Sequence, residues 1–226
     1  MDAQNSPGQI LKHNTNTTQP GITRFFAYVF SYLFHPLFIP LYAVYYLAFI
    51  HPRYFLGFEQ KERWTIMGMV FLNMVIFPGI TVLLLKGVGF IDSVFLNSQK
   101  DRIIPYIAAG IFYFWMYLVF HNQIEIPSIL TAFTFGVFIS SSAALLANIY
   151  FKISMHAVGV GGLMGLMIVS LYTNPAPLSL PLMVAILIAG IVCTSRLIVS
   201  DHSAKEIYAG LICGLICQFV AAGVVM

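Results

Sequence analysis

The chain has 226 residues, of which 59% are hydrophobic and only 8% charged, with a formal net charge of +3. A soluble domain carries about 25% charged residues, so this chain lacks the polar surface to face water on every side. The charge is also too small to suggest a nucleic-acid partner.

The apolar runs are continuous and about 18–25 residues long, which matches a hydrocarbon core of roughly 30 Å at 1.5 Å per helical residue. A membrane barrel would instead alternate in segments of about ten residues. The expectation is therefore an all-α, polytopic transmembrane helical bundle of about six to seven spans.

Residues 1–22 are rich in Asn, Gln and Thr, a composition expected to stay disordered. They include one glycosylation sequon, Asn16-Thr17-Thr18, and nothing in them resembles a cleavable leader. Residues 23–226 are expected to form a single transmembrane domain. The first apolar run, 24–50, holds His35-Pro36 and Pro40, so a kinked or broken helix is expected there. The second, 64–86, carries Asn73 and Pro78-Gly79. The third to seventh runs cover 103–120, 127–150, the glycine-rich 156–172, 178–199 and 206–226. Asn73 and Asn148 are expected to bond between helices. His35 has no sequence partner and reads as structural. Cys193, Cys213 and Cys217 all lie inside apolar runs and read as small buried hydrophobes, not as a disulfide or a metal site.

The loops after the third and fifth runs, 121–125 and 174–177, carry no Lys or Arg. Those after the second, fourth and sixth hold Lys100, Asp101, Arg102, Lys152, Arg196, Asp201, His202, Lys205 and Glu206. Spans alternate in direction, so these three remote polar segments belong to one side of the membrane. The positive-inside rule would put that side in the cytoplasm. Yet cations that serve a phosphate site are selected for chemistry, and without them the two sides are nearly tied.

The chemistry of the segments is consistent. His202 and Glu206 are four apart and share a helix face, so the carboxylate can hold one ring nitrogen and leave the other as a nucleophile. Gly210 and Gly214 continue that face and would let a neighbouring helix approach. Lys152-Ile153-Ser154-Met155-His156 opens the fifth span, where free N–H groups and the helix dipole favour an anion. Arg102 and Arg196 suit bidentate phosphate binding, with Lys100 and Lys152 as further cations. No carboxylate cluster suited to Mg²⁺ is visible. The expected chemistry needs neither metal nor cofactor.

These segments resemble the motifs of the type 2 phosphatidic acid phosphatases, a family related to the vanadium haloperoxidases. The third family motif is matched by Ser195-Arg196, five residues, His202, three residues and Glu206, with Glu in place of Asp. The second is matched in part by Ile153-Ser154-Met155-His156, which keeps the serine and histidine and lacks the proline and glycine. The first is reduced to Arg102, with Pro105 three residues later and Lys100 nearby.

The resemblance implies a helical phosphatase core with His202 as nucleophile, His156 as general acid and Glu206 orienting His202. It also implies Arg102 and Arg196, with Lys100, as phosphate ligands, and Ser154 and Ser195 as hydrogen-bonding residues of the site. Lys152 lies outside the family motif and is added by proximity. The expected substrate is a phosphorylated lipid such as phosphatidic acid, phosphatidylglycerophosphate, a polyprenyl diphosphate or a phosphorylated lipid A. The expected setting is a bacterial inner membrane. Two other functions fit the same residues: a non-catalytic binder of anionic lipid headgroups and a small transporter.

Overall fold

The computed structural model describes residues 19–94, 99–173, 179–199 and 202–226, apart from the side chains at 52, 99, 100 and 179. The polar tail up to residue 18, with its sequon, lies outside the described residues.

Hydrophobicity all around a helix marks a segment whose solvent is lipid or protein interior rather than water. Among the described residues the chain forms helices and no strand. In chain order they are α1 (Gly21–Leu33), α2 (Ile39–Ile50), α3 (Gln60–Gly87), α4 (Gln99–His121) and α5 (Ser128–Tyr150). There follow α6 (Met155–Thr173), α7 (Ser179–Val199) and α8 (Ala204–Val225). Six of them, α3 to α8, are long and apolar enough to cross a membrane. The protein is a polytopic helical membrane bundle.

The expected single first span is two helices. His35-Pro36 falls in the turn between α1 and α2, and α1 has only 13 residues, about 20 Å at 1.5 Å per residue. Proline has no N–H to donate and clashes with the preceding turn, which ends the run there. The second piece nevertheless follows α6 along its length. Pro36 and Ile39 sit against Gly159, near the start of α6. At the far end, the Tyr54 hydroxyl lies 2.8 Å from Thr173 Oγ1 and donates to the Ser170 carbonyl at 3.3 Å. The last turn of α2 widens to a π-turn. Arg63 closes that end by donating to the carbonyls of Ala48 and Phe55, each at 3.0 Å.

α3 also contains a π-turn, Leu72–Ile76, immediately before Pro78. A widened turn is a usual way for a long helix to absorb an interior proline. Asn73 does not bond between helices as expected. Its amide donates to Met69 O in its own helix at 2.9 Å.

The centre of the bundle is α5 and α6, with 56% of each apolar stretch buried, against 22% for α3, α4 and α7. Their tightest neighbour is α8. A methyl group on Gly214 would collide with the Val158 carbonyl, and one on Gly161 with the Leu211 carbonyl. At Gly210 it would sit 2.8 Å from the Ser154 carbonyl. Glycines on both partners thus bring two backbones into contact, the usual way membrane helices gain packing without a hydrophobic driving force between them. This contact sets the starts of α6 and α8 side by side.

Candidate active site

Four helix ends and one turn meet at that level. His202 precedes α8, His156 is in the first turn of α6, Arg196 is in the last turn of α7 and Arg102 in the first turn of α4. The turn between α1 and α2 brings His35.

His202 is held from its own helix. Ser203 caps α8, its hydroxyl accepting from Glu206 N–H at 3.4 Å. The Glu206 carboxylate reaches back to accept from Ser203 N–H at 3.1 Å and from His202 Nδ1 at 3.0 Å. One Oε2 atom therefore joins a helix cap to an imidazole. The Nδ1 proton is fixed by this bond, which leaves the lone pair on Nε2. The His202 side chain is 7% exposed. Burial pushes its pKa below the ordinary 6.5, the Glu206 hydrogen bond and charge pull it upward, and the Arg102 and Arg196 charges push it further down. The neutral ring is thus favoured.

His156 is held by α1. Its Nε2 lies 3.0 Å from the Ser31 carbonyl. A carbonyl only accepts, so Nε2 carries the proton and Nδ1 is open. The Arg196 charge acts on His156, and so do His35 and His202. The Arg102 charge also acts on Arg196. These effects bring the candidates from α4, α6, α7 and the start of α8 into one electropositive cluster.

The other candidates have different roles. Ser154 is fully buried and caps α6, accepting from Ala157 N–H at 3.5 Å. Ser195 is 4% exposed and donates its only hydroxyl proton to Ile191 O at 2.8 Å. Both hydroxyls serve local structure. Lys152 is half-buried in the link from α5 to α6. No hydrogen bond or ion pair joins it to the cluster among the described residues. Lys100 is on the first turn of α4, with its side chain outside the described residues, as is Asp201. Among the described residues no three His, Cys, Asp or Glu side chains gather as a metal-holding group.

Two residues of the cluster were not expected. His35 stands edge-on to His156, with ring centroids 5.2 Å apart, and the Arg196 charge reaches it as well. Ser31 supplies the carbonyl that orients His156. Their partners are more than a hundred residues away in sequence, so no local spacing reveals them. An ionisable group inside an apolar run was the only available signal.

Two cavities adjoin the cluster. One of about 60 Å³ is lined by Pro36, Met155, Val158, Gly159, Ser140 and Gln218 among others. The other is an open groove of about 730 Å³ between α1 and α7, lined by Phe26, Phe30, Leu187, Gly190, Ile191 and Ser195 among others. Its lining includes Ser195, the residue before Arg196.

No family model, characterised protein or solved structure matches the chain.

Proposed function

We propose that the protein is an integral-membrane phosphatase of phosphorylated lipids, working through a phosphohistidine without a metal ion, in the manner of the type 2 phosphatidic acid phosphatases that its motifs resemble. The observation that carries this reading is the His202–Glu206 pair. It is an imidazole with one nitrogen held at 3.0 Å by a carboxylate and the other left as a lone pair, beside two arginines.

In the first step His202 Nε2 attacks phosphorus, and the phosphorus–oxygen bond to the lipid breaks. The electron pair stays on the lipid oxygen, which takes a proton from Nδ1 of protonated His156. Arg102 and Arg196 neutralise the phosphoryl oxygens while charge moves from one apical position to the other. In the second step His156 Nδ1 takes a proton from water as that water attacks phosphorus, the bond from phosphorus to His202 Nε2 breaks with its electron pair returning to Nε2, and inorganic phosphate leaves. In both steps the Ser31 carbonyl keeps the Nε2 proton of His156 in place, so that Nδ1 is the nitrogen that exchanges protons.

The groove between α1 and α7 supports a lipid as substrate, because it offers an apolar surface for a lipid tail on the helix that carries Arg196. A bacterial inner membrane remains the proposed setting. Phosphate release from a panel of lipid phosphates in detergent, with and without a chelator, tests the reading. Turnover should survive the chelator and fall by about 10³-fold or more in His202→Ala and by about 10²–10³-fold in Arg196→Ala. Full activity in either folded variant contradicts the assignment. Headgroup binding without turnover in the unmodified protein would favour the non-catalytic lipid binder. Transport in proteoliposomes without phosphate release would favour the transporter.

A further inference from the structure

His35 is the third imidazole of the cluster and lies outside the three motifs. Its protonation pattern can be read from geometry. Leu37 N–H donates to His35 Nδ1 at 3.3 Å, so that nitrogen carries no proton. The ring is neutral and its proton is on Nε2. Nε2 makes no hydrogen bond among the described residues. The ring lies against His156 and within reach of the Arg196 charge. One helical turn earlier, the Ser31 hydroxyl is buried without a partner, in a residue 4% exposed whose carbonyl already holds His156.

For the Ser31 hydroxyl, being a buried donor with no acceptor is costly, by roughly 1–3 kcal/mol. A donor next to a cationic cluster finds its natural acceptor in the anion that the cluster binds. We infer that the α1–α2 turn completes the anion site, with His35 Nε2–H as an uncharged donor to a phosphoryl oxygen and the Ser31 hydroxyl as a second donor beside it.

The division of labour among the three histidines follows. His202 presents a lone pair, His156 presents a nitrogen that can gain and lose a proton, and His35 presents a fixed N–H. A neutral imidazole cannot replace His156 as the acid, since losing its only proton would leave an imidazolate. It can donate to oxygen without changing charge, and so adds specificity for a tetrahedral oxyanion without adding to the repulsion between Arg102 and Arg196.

This inference rests on the phosphatase reading only for the identity of the anion, and its test separates the two. Orthovanadate, which imitates a phosphoryl group in transfer, serves as the probe for binding, and phosphate release from a lipid phosphate serves for turnover. His35→Phe keeps the ring volume and removes the donor, His35→Gln restores an N–H near the position of Nε2, and Ser31→Ala removes the hydroxyl but keeps the carbonyl under His156. Expected are a loss of about 10²-fold or more in turnover for His35→Phe, an accompanying loss of at least about tenfold in vanadate affinity, substantial recovery in His35→Gln and a smaller loss in Ser31→Ala. Equal losses in His35→Phe and His35→Gln would mean that the ring only shapes the turn, and would overturn the inference. So would unchanged vanadate affinity in folded His35→Phe. Vanadate binding that depends on His35 in a protein without turnover would remove the phosphatase and keep the anion site. A protein that neither binds vanadate nor releases phosphate would remove both.

Discussion

At the scale of single residues, the decisive feature is that each imidazole has one nitrogen committed and one open. Glu206 commits Nδ1 of His202, and the Ser31 carbonyl commits Nε2 of His156. The pH dependence follows from the surroundings of His202. As the proposed nucleophile it must be neutral, so kcat/KM should fall as pH drops through its free-enzyme pKa. That pKa lies below 6.5 because burial disfavours the charged ring, so the acid limb of the profile should lie below the ordinary histidine range. Glu206 favours the imidazolium, so Glu206→Gln should move the limb further to the acid side and lower the plateau. Arg102 disfavours it, so Arg102→Gln should move the limb toward neutral pH. Profiles of the two variants that shift the same way would contradict this arrangement.

Ser154 and Ser195 each make a local structural bond beside the phosphate role expected of them. A serine near a helix start readily caps it. A serine within a helix readily bonds to the carbonyl four residues back, as Ser195 does to Ile191. Those local bonds compete with any ligand for the same hydroxyl. Asn73 makes the same choice, bonding to Met69.

At the scale of elements, glycine separates two kinds of helix face. On α8, Gly214 is pressed against the backbone of α6, and a Cβ there has no room beside the Val158 carbonyl. On α7, Gly190 opens onto the groove with nothing within 4 Å of an added Cβ. Gly214→Val should force α6 and α8 apart and displace His156 from His202. Overpacking of this kind costs about 1–3 kcal/mol, read as a lower thermal midpoint in detergent together with lost activity. Gly190→Leu should leave the midpoint unchanged and raise KM for long-chain lipid phosphates while sparing a short-chain phosphate ester. Equal effects on long and short substrates would mean that the groove does not hold the tail.

Much of the element pattern was legible in the sequence, because continuous apolar runs of span length have few alternatives. The His35-Pro36 break was legible as a kink or a break. That residues 24–33 form a separate helix beside α7 was not, because this depends on contacts with a segment about 160 residues later. The cap of α8 was not read from the sequence, although Ser203 and Glu206 have the spacing of a capping box. Its role in holding His202 needed the geometry, in which one Oε2 atom serves both partners.

At the scale of the molecule, the fold converts alternation of direction into a site. α5 and α6 form the buried centre, and α8 locks against them through glycine. α4 and α7 add one end each to the polar level, and α1 and α2 add the turn between them. The bilayer explains why the groups gather there: charge is expensive in hydrocarbon, so the cations sit at helix ends, and the glycine contact brings those ends into register. The pairing of His202 with Glu206 was legible because the two stand four residues apart at the start of one helix. His35 and Ser31 were not, since they reach the site only when the α1–α2 turn folds against α6 and α7.

The most direct measurement is to mix the purified protein with a lipid carrying a radiolabelled phosphate, quench within one turnover and locate any label on the protein. The account predicts a phosphate that is stable to alkali and labile to acid, attached to His202, absent from His202→Ala and accumulating in a His156 variant that cannot activate water. Turnover with no labelled protein, or label on an oxygen of serine or aspartate, would contradict it.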